Sequence, residues 1–196
     1  ENVYNALAAI TVAHVVLGIA LPDVIHRLRT FVFPRQRMEL LRLGELLVIN
    51  DTYNANPQSM EAALQTLASY RGRRRTVAVL GDMMELGSEA PEFHCRLGRS
   101  CVNHRIDVVA AVGIRAQWIS RGISKAGSFC GTVLSCADTL SASNCVQSLV
   151  RSGDAVLVKG SRAMRMERIV EDLQETIAGT SGQNLATGYS SGREIS

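Results

Sequence analysis

Leu46-Leu47-Val48-Ile49-Asn50-Asp51-Thr52-Tyr53-Asn54-Ala55-Asn56-Pro57 is the stretch that decides the fold. Its apolar run has no polar break, as expected of a strand covered on both faces. The run ends in a cluster of short polar side chains. Pro57 then opens a helical pattern, with Met60, Ala63, Leu64 and Leu67 at the spacing of one face. A buried strand, a polar turn and a helix form the building unit of open α/β sheets, which hold ligands beyond the carboxyl ends of their strands.

Downstream the alternation continues. Strands are expected at Thr76–Leu80, Val108–Val112, Phe129–Leu134 and Ala155–Lys159. Helices are expected at Met60–Tyr70, Glu89–Cys101, Arg115–Lys125, Ala137–Arg151 and Met164–Ala178. Residues 46–178 therefore read as an α/β domain: a Rossmann-like open, mostly parallel sheet with helices on both faces. Upstream, Asn2–Val16 reads as a helix stopped by Gly18. A second helix starts at Leu21-Pro22-Asp23, and Met38–Leu43 reads as a strand turning at Gly44-Glu45. Two helices and a hairpin strand make a poor domain alone, so residues 1–45 read as the end of a preceding one. Residues 179–196, rich in Gly, Ser, Thr and Asn, are expected to be a disordered tail.

Composition excludes several classes. Of 196 residues 46% are apolar, yet Ala6–Ala13 and Val15–Leu21 are too short and too interrupted to span a bilayer. A net charge of +3 with 5% aromatics lacks the basic stripe and stacking rings of a nucleic-acid binder. Arg71, Arg73, Arg74 and Arg75 read as a solvated loop or, failing that, a basic patch. Cys95, Cys101, Cys130, Cys136 and Cys145 form no CxxC pair and no Cys/His metal spacing, and the odd count points to reduced thiols. Lysine is scarce: only Lys125 and Lys159 occur.

The unusual polar residues fall at the expected strand ends: Asp51 to Asn56, Gly81-Asp82, Gly113, and Lys159-Gly160-Ser161-Arg162. Asp51 suits a diol or a turn cap. Asn54 and Asn56 suit a turn as readily as a ligand, and Tyr53 suits packing or a ring contact. Asp82 and Glu85 are placed to hold an ammonium group or to cap the helix that follows. His94 stands one turn into that helix, where a single His is more often structural. Lys159, Ser161 and Arg162 offer donors for carboxylate or phosphate oxygens.

The order of these residues adds a resemblance. Asp51-Thr52-Tyr53-Asn54-Ala55-Asn56-Pro57, then Ser59-Met60, then Gly81-Asp82-Met83-Met84-Glu85-Leu86-Gly87, resembles the Mur ligase family, closest to its members that add D-alanyl-D-alanine. Asn2-Val3-Tyr4-Asn5-Ala6-Leu7-Ala8-Ala9 is similar to the family's His-Asn-x-x-Asn-Ala-Leu-Ala-Ala helix, with Glu1 where His is usual. Pro34-Arg35-Gln36-Arg37-Met38-Glu39 is similar to its Pro-Gly-Arg-Met-Glu segment, with Gln36 in place of Gly. If that position requires a positive φ, Gln36 strains or reroutes the loop. Val158-Lys159-Gly160-Ser161-Arg162 is similar to its Val-Lys-Gly-Ser-Arg signature.

The resemblance implies that residues 1–45 end a P-loop-type central ATP-binding domain and that 46–178 form the C-terminal domain. It implies a cytoplasmic enzyme (of the plastid stroma in a plastid-bearing eukaryote) that uses ATP and Mg2+ to join D-Ala-D-Ala to UDP-MurNAc-tripeptide in cell-wall precursor synthesis. Asn2, Asn5, Arg37, Asp51 and Tyr53 would serve the nucleotide, and Asn54 and Lys159 the catalysis. Asp82, Glu85, Ser161 and Arg162 would line the substrate side. No G-x-x-x-x-G-K-[ST] loop occurs in the sequence. In the family that loop and the magnesium ligands precede the segment matched here, so the segment is expected to be incomplete without upstream domains, and no metal ligands are expected in it. Two alternatives stay open: a sister amide ligase with another amino substrate, and a non-catalytic remnant that binds a nucleotide or a partner.

Overall fold

A computed structural model describes residues 2–32 and 34–186. Packing divides the chain between Pro34 and Arg35. The smaller unit holds α1 (Asn2–Thr11), a π-helical turn (Val12–Val16) and α2 (Leu21–Arg29). Gly18 takes φ +68°, the left-handed residue that ends the first helical run. Pro22 lies in the first turn of α2, where its missing N–H costs nothing. Among the described residues of this unit only Val24 is buried, while Val3, Tyr4, Leu7, Val15 and Val16 are exposed.

The larger unit is built on one six-stranded sheet in the order β1-β2-β6-β3-β4-β5. The strands are β1 (Glu39–Leu43), β2 (Leu46–Asp51), β3 (Thr76–Gly81), β4 (Val108–Val112), β5 (Thr132–Cys136) and β6 (Ala155–Lys159). β1 pairs with β2 antiparallel, and every other pairing is parallel. β2, β3, β4 and β6 are buried along their whole length, as their unbroken apolar runs require. The helices are α3 (Pro57–Ala68), α4 (Ala90–Asn103), α5 (Ala116–Ala126), α6 (Thr139–Leu149) and α7 (Glu167–Ala186). One core joins the sheet to Met60, Leu64 and Leu67 of α3, Leu97 of α4 and Ile119 of α5. The other joins it to Val146 of α6 and to Ile169, Val170 and Leu173 of α7.

The expected architecture is therefore present, with adjustments at element ends. The sequence pattern places a domain boundary after residue 45. Here β1 groups with the larger unit, because its register from Glu39↔Asn50 to Leu43↔Leu46 makes it the edge strand of that sheet. The strand expected at Phe129–Leu134 runs Thr132–Cys136 instead. Its partner β4 starts at Val108, opposite Thr132, and Phe129 packs against the core ahead of the ladder. α7 begins after a 3₁₀ turn (Arg162–Met164) and a left-handed Arg165, and it runs on to Ala186. It thus enters the segment expected to be a tail; residues 187–196, like Glu1 and Phe33, lie outside the described residues.

β6 is the last strand in sequence but sits between β2 and β3. The chain passes over that position through α3 and returns to it through α6 on the opposite face. The loops leaving β2, β3 and β6 therefore meet at the carboxyl edge, at the kind of switch point where open α/β sheets form their ligand crevice.

Candidate functional site

Lys159 ends β6 with Asp51 beside it in β2 and Leu80 beside it in β3. It is 2% exposed, and its Nζ donates to Asp51 Oδ2 at 2.6 Å and to the Asn54 carbonyl at 2.9 Å. A buried ammonium requires such a counter-charge. Asp51 Oδ1 accepts from the Met38 backbone N–H at 3.0 Å, so this carboxylate ties β2 to β6 and to the loop before β1. Each oxygen keeps a lone pair for a further donor. Asn54 is exposed; its Oδ1 accepts from the Ala55 N–H at 2.8 Å, so the side chain shapes the turn while its carbonyl holds Lys159. Asn56 caps α3 in a reciprocal arrangement with Ser59.

Arg37 lies over the Tyr53 ring, 4.1 Å from its centroid, and both side chains are exposed at the rim. The Tyr53 N–H donates to the Gln36 carbonyl at 3.0 Å. Gln36 itself takes φ +64° and Met38 φ +51°, conformations that side chains avoid. The strain anticipated from glutamine at a glycine position is thus present. Around it runs a network that the sequence reading missed. The Gln36 N–H and Asn50 Nδ2 both donate to Glu39 Oε2, at 3.0 and 3.1 Å, and Thr52 Oγ1 donates to Asn50 Oδ1 at 2.8 Å.

On the other side of the crevice Asp82 is 2% exposed. Its carboxylate accepts from the Arg115 N–H at 3.0 and 3.2 Å and faces Arg115 Nη1 at 3.6 Å. Gly113, at φ +110°, leaves no room for a Cβ, which would lie 2.7 Å from that carboxylate. Asp82 therefore fixes the β4–α5 loop, and Glu85, exposed at φ +62°, is the acid of this segment that faces solvent. Ser161 is buried and accepts the Met84 N–H at 2.9 Å, joining the loops after β3 and β6. Arg162 is largely exposed, and its Nη1 reaches Gln36 Oε1 at 2.5 Å and Glu167 Oε1 at 3.2 Å. Arg115 carried no signal beyond its place after Gly113 at a strand end.

His94 is fully buried. Its Nε2 accepts the Met83 N–H at 3.0 Å while Nδ1–H donates to the Ala90 carbonyl at 2.6 Å. Both nitrogens are used by the neutral ring, and burial lowers its pKa from the ordinary 6.5. His94 is a staple of the Gly81–Gly87 loop and does not join Asp82 and Glu85 at the site. Burial likewise pushes the Cys101 thiol up to about 12, which suits an inert thiol.

At the opposite end of the sheet, Arg74 donates to the carbonyls of Glu45 and Gly153 at 2.6 and 2.9 Å, and Arg75 pairs with Asp154 at 2.6 Å. These two arginines fasten loops and do not form a free basic patch. Asn2 and Asn5 stand on α1 of the smaller unit, with Asn5 exposed. Among the described residues no cluster of His, Cys, Asp and Glu could hold a metal ion, and no helix is long and apolar enough to cross a membrane.

Residues 36–162 match the model of the Mur ligase family's glutamate ligase domain. The chain belongs to the Mur ligase family. The UDP-N-acetylmuramoyl-tripeptide–D-alanyl-D-alanine ligase of Bacillus subtilis (strain 168) is 36% identical over 177 residues, covering 90% of this chain and 38% of that enzyme. A crystal structure of MurF from Acinetobacter baumannii superposes with a TM-score of 0.78 at 32% identity, over 89% of this chain and 38% of that one. MurF ligase from Thermotoga maritima in complex with ADP superposes with a TM-score of 0.66 at 25% identity, over 87% and 37%. The chain thus spans less than two fifths of the length of each of these three relatives.

Proposed function

We propose that this segment is the closing domain of an ATP-dependent ligase that joins D-alanyl-D-alanine to UDP-MurNAc-tripeptide. The observation that carries the reading is the 36% identity to a curated ligase of that name across 90% of the chain. The polar loops that meet at the carboxyl edge of the sheet support it.

In this reading residues 1–34 end the central ATP-binding domain and 35–178 form the C-terminal domain. The terminal carboxylate of the tripeptide takes the γ-phosphoryl group of ATP, giving an acyl phosphate and ADP. The dipeptide amine then attacks that carbonyl and phosphate leaves. Arg37, with Tyr53 beneath it, faces nucleotide oxygens, and Asp51 receives a ribose hydroxyl on a free lone pair. The carboxamides of Asn2 and Asn5 serve the adenine edge. Lys159 is held by Asp51 and Asn54, so its charge is fixed in place for an anionic oxygen at the crevice. Glu85 binds the dipeptide ammonium, Asp82 keeps the adjoining loop in shape, Ser161 lines the substrate side, and Arg162 stands at the mouth between the peptide and nucleotide sides. Domain closure would assemble these groups and exclude water.

In this reading the Mg2+ ligands lie mainly in the domain that carries the phosphate loop. When bound there, the ion would neutralise charge on the transferring phosphoryl group. The enzyme would act in the cytoplasm, where its nucleotide substrates are made. The test is ADP release by the full-length gene product. Release that requires both UDP-MurNAc-tripeptide and D-Ala-D-Ala is expected. Release with a single amino acid in place of the dipeptide would indicate a sister ligase, and none at all a binding remnant.

A further inference from the structure

We propose that Gln36 is a positioning residue. Its carboxamide latches Arg162 across the mouth of the crevice, so that Arg37 and Arg162 act on the same phosphate-bearing ligand, a nucleoside triphosphate. This rests on the nucleotide reading above.

Gln36 sits in the left-handed region, and three contacts hold it there. Its N–H donates to Glu39 Oε2, its carbonyl accepts the Tyr53 N–H, and its Oε1 accepts from Arg162 Nη1. The next residue, Arg37, stacks on the same Tyr53. Both guanidiniums are thereby referenced to one residue, although they are far apart in sequence.

Arg162 also has a second partner that it does not use fully. Glu167 Oε1 meets Arg162 Nη1, but Glu167 Oε2 is buried and accepts no hydrogen bond. A guanidinium fork fits both oxygens of a carboxylate at once. By drawing Nη1 to its own Oε1, Gln36 keeps the pair one-sided and leaves a buried acceptor unsatisfied, a cost that a purely structural contact would relax. The Arg162 side chain stays 58% exposed, so its other N–H groups remain open to ligand oxygens.

The experiment uses the full-length gene product with UDP-MurNAc-tripeptide and D-Ala-D-Ala, and measures KM for ATP, KM for the dipeptide and the melting temperature without nucleotide. Gln36→Gly removes the carboxamide but suits the positive φ, so folding is spared. It should raise KM for ATP about tenfold, the scale of one charge-assisted hydrogen bond, with dipeptide KM and melting temperature not worsened. Arg162→Ala should do the same, and the double variant should be no worse than Arg162→Ala alone. Additive effects would overturn the latch, as would a lowered melting temperature with both KM values rising together. Arg37→Ala separates the two failures. If it raises KM for ATP while Gln36→Gly does not, the latch falls and the nucleotide reading stands. If neither changes that KM, both fall.

Discussion

At the scale of single residues the buried charges of the site are each met by an opposite charge. Lys159 is the clearest case, since its ammonium has one carboxylate and one carbonyl as its given partners. Replacing it by Met would leave Asp51 buried beside an apolar chain. Breaking such a pair costs about 3 kcal/mol, more than the pair contributes against apolar groups of equal size. Urea denaturation should therefore show Lys159→Met strongly destabilised, with Asp51→Asn in the same background recovering part of the loss. A double variant no more stable than Lys159→Met would count against this account.

His94 adds a pH dependence whose sign follows from its environment. Its native pKa lies below the unfolded value of 6.5 because burial penalises the imidazolium. Above about pH 6.5 both states hold the neutral ring and the residue contributes no slope. As pH falls from there to the native pKa the unfolded state binds the extra proton, so stability is lost across that window. His94→Phe should be less stable at pH 8, because the Met83 N–H loses its acceptor, and should show a shallower decline between pH 6.5 and 5. Equal slopes for the two proteins would remove His94 from the cause. Lys159 is visible in the sequence as a scarce type at a strand end, and His94 as a lone imidazole one turn into a helix. What could not be read there is that Asp82 faces Arg115 and His94 faces a backbone N–H, since both contacts depend on how loops from different strands meet.

At the scale of elements, the strand and helix order was legible because each buried strand is a continuous apolar run bounded by turn residues. Boundaries slipped where tertiary pairing overrode local pattern, as at β5, whose start is set by the first residue of β4. The packing of α4 on α5 was not legible at all. A Cβ on Gly98 would lie 2.1 Å from the Ile119 carbonyl, and one on Gly122 equally close to the Cys95 carbonyl. The two helices thus touch backbone to backbone through reciprocal glycines. Alanine in place of glycine inside an exposed helix gains about 1 kcal/mol. Here the sign reverses, because the added methyl has only rigid backbone to displace and overpacking costs about 1–3 kcal/mol or more. Gly98→Ala and Gly122→Ala should each lower the denaturation midpoint, whereas Gly153→Ala, at φ +86° with open space around it, should suffer only backbone strain. A neutral Gly98→Ala would mean that α4 and α5 can separate freely.

At the scale of the whole molecule, the two units differ in what they can bury. Residues 35–186 enclose a sheet between two cores, one with α3, α4 and α5 and one with α6 and α7. The unit of 1–34 buries only Val24 among its described residues, and its helices are 10 and 9 residues long. Helices of that length are marginal in water without a partner surface. The larger unit made alone should therefore unfold in one cooperative transition, monitored by circular dichroism, with an urea slope appropriate to its full buried area. A peptide of residues 1–34 should show far less helix than α1 and α2 together, rising only in trifluoroethanol. If the ligase reading is right, the isolated larger unit should also fold without turning over ATP, because closing residues such as Arg37 and Lys159 stabilise charge on a phosphoryl group that another domain must hold. A non-cooperative melt of 35–186 would show that its sheet needs the smaller unit, and the division at Pro34 would then be a seam within one folding unit.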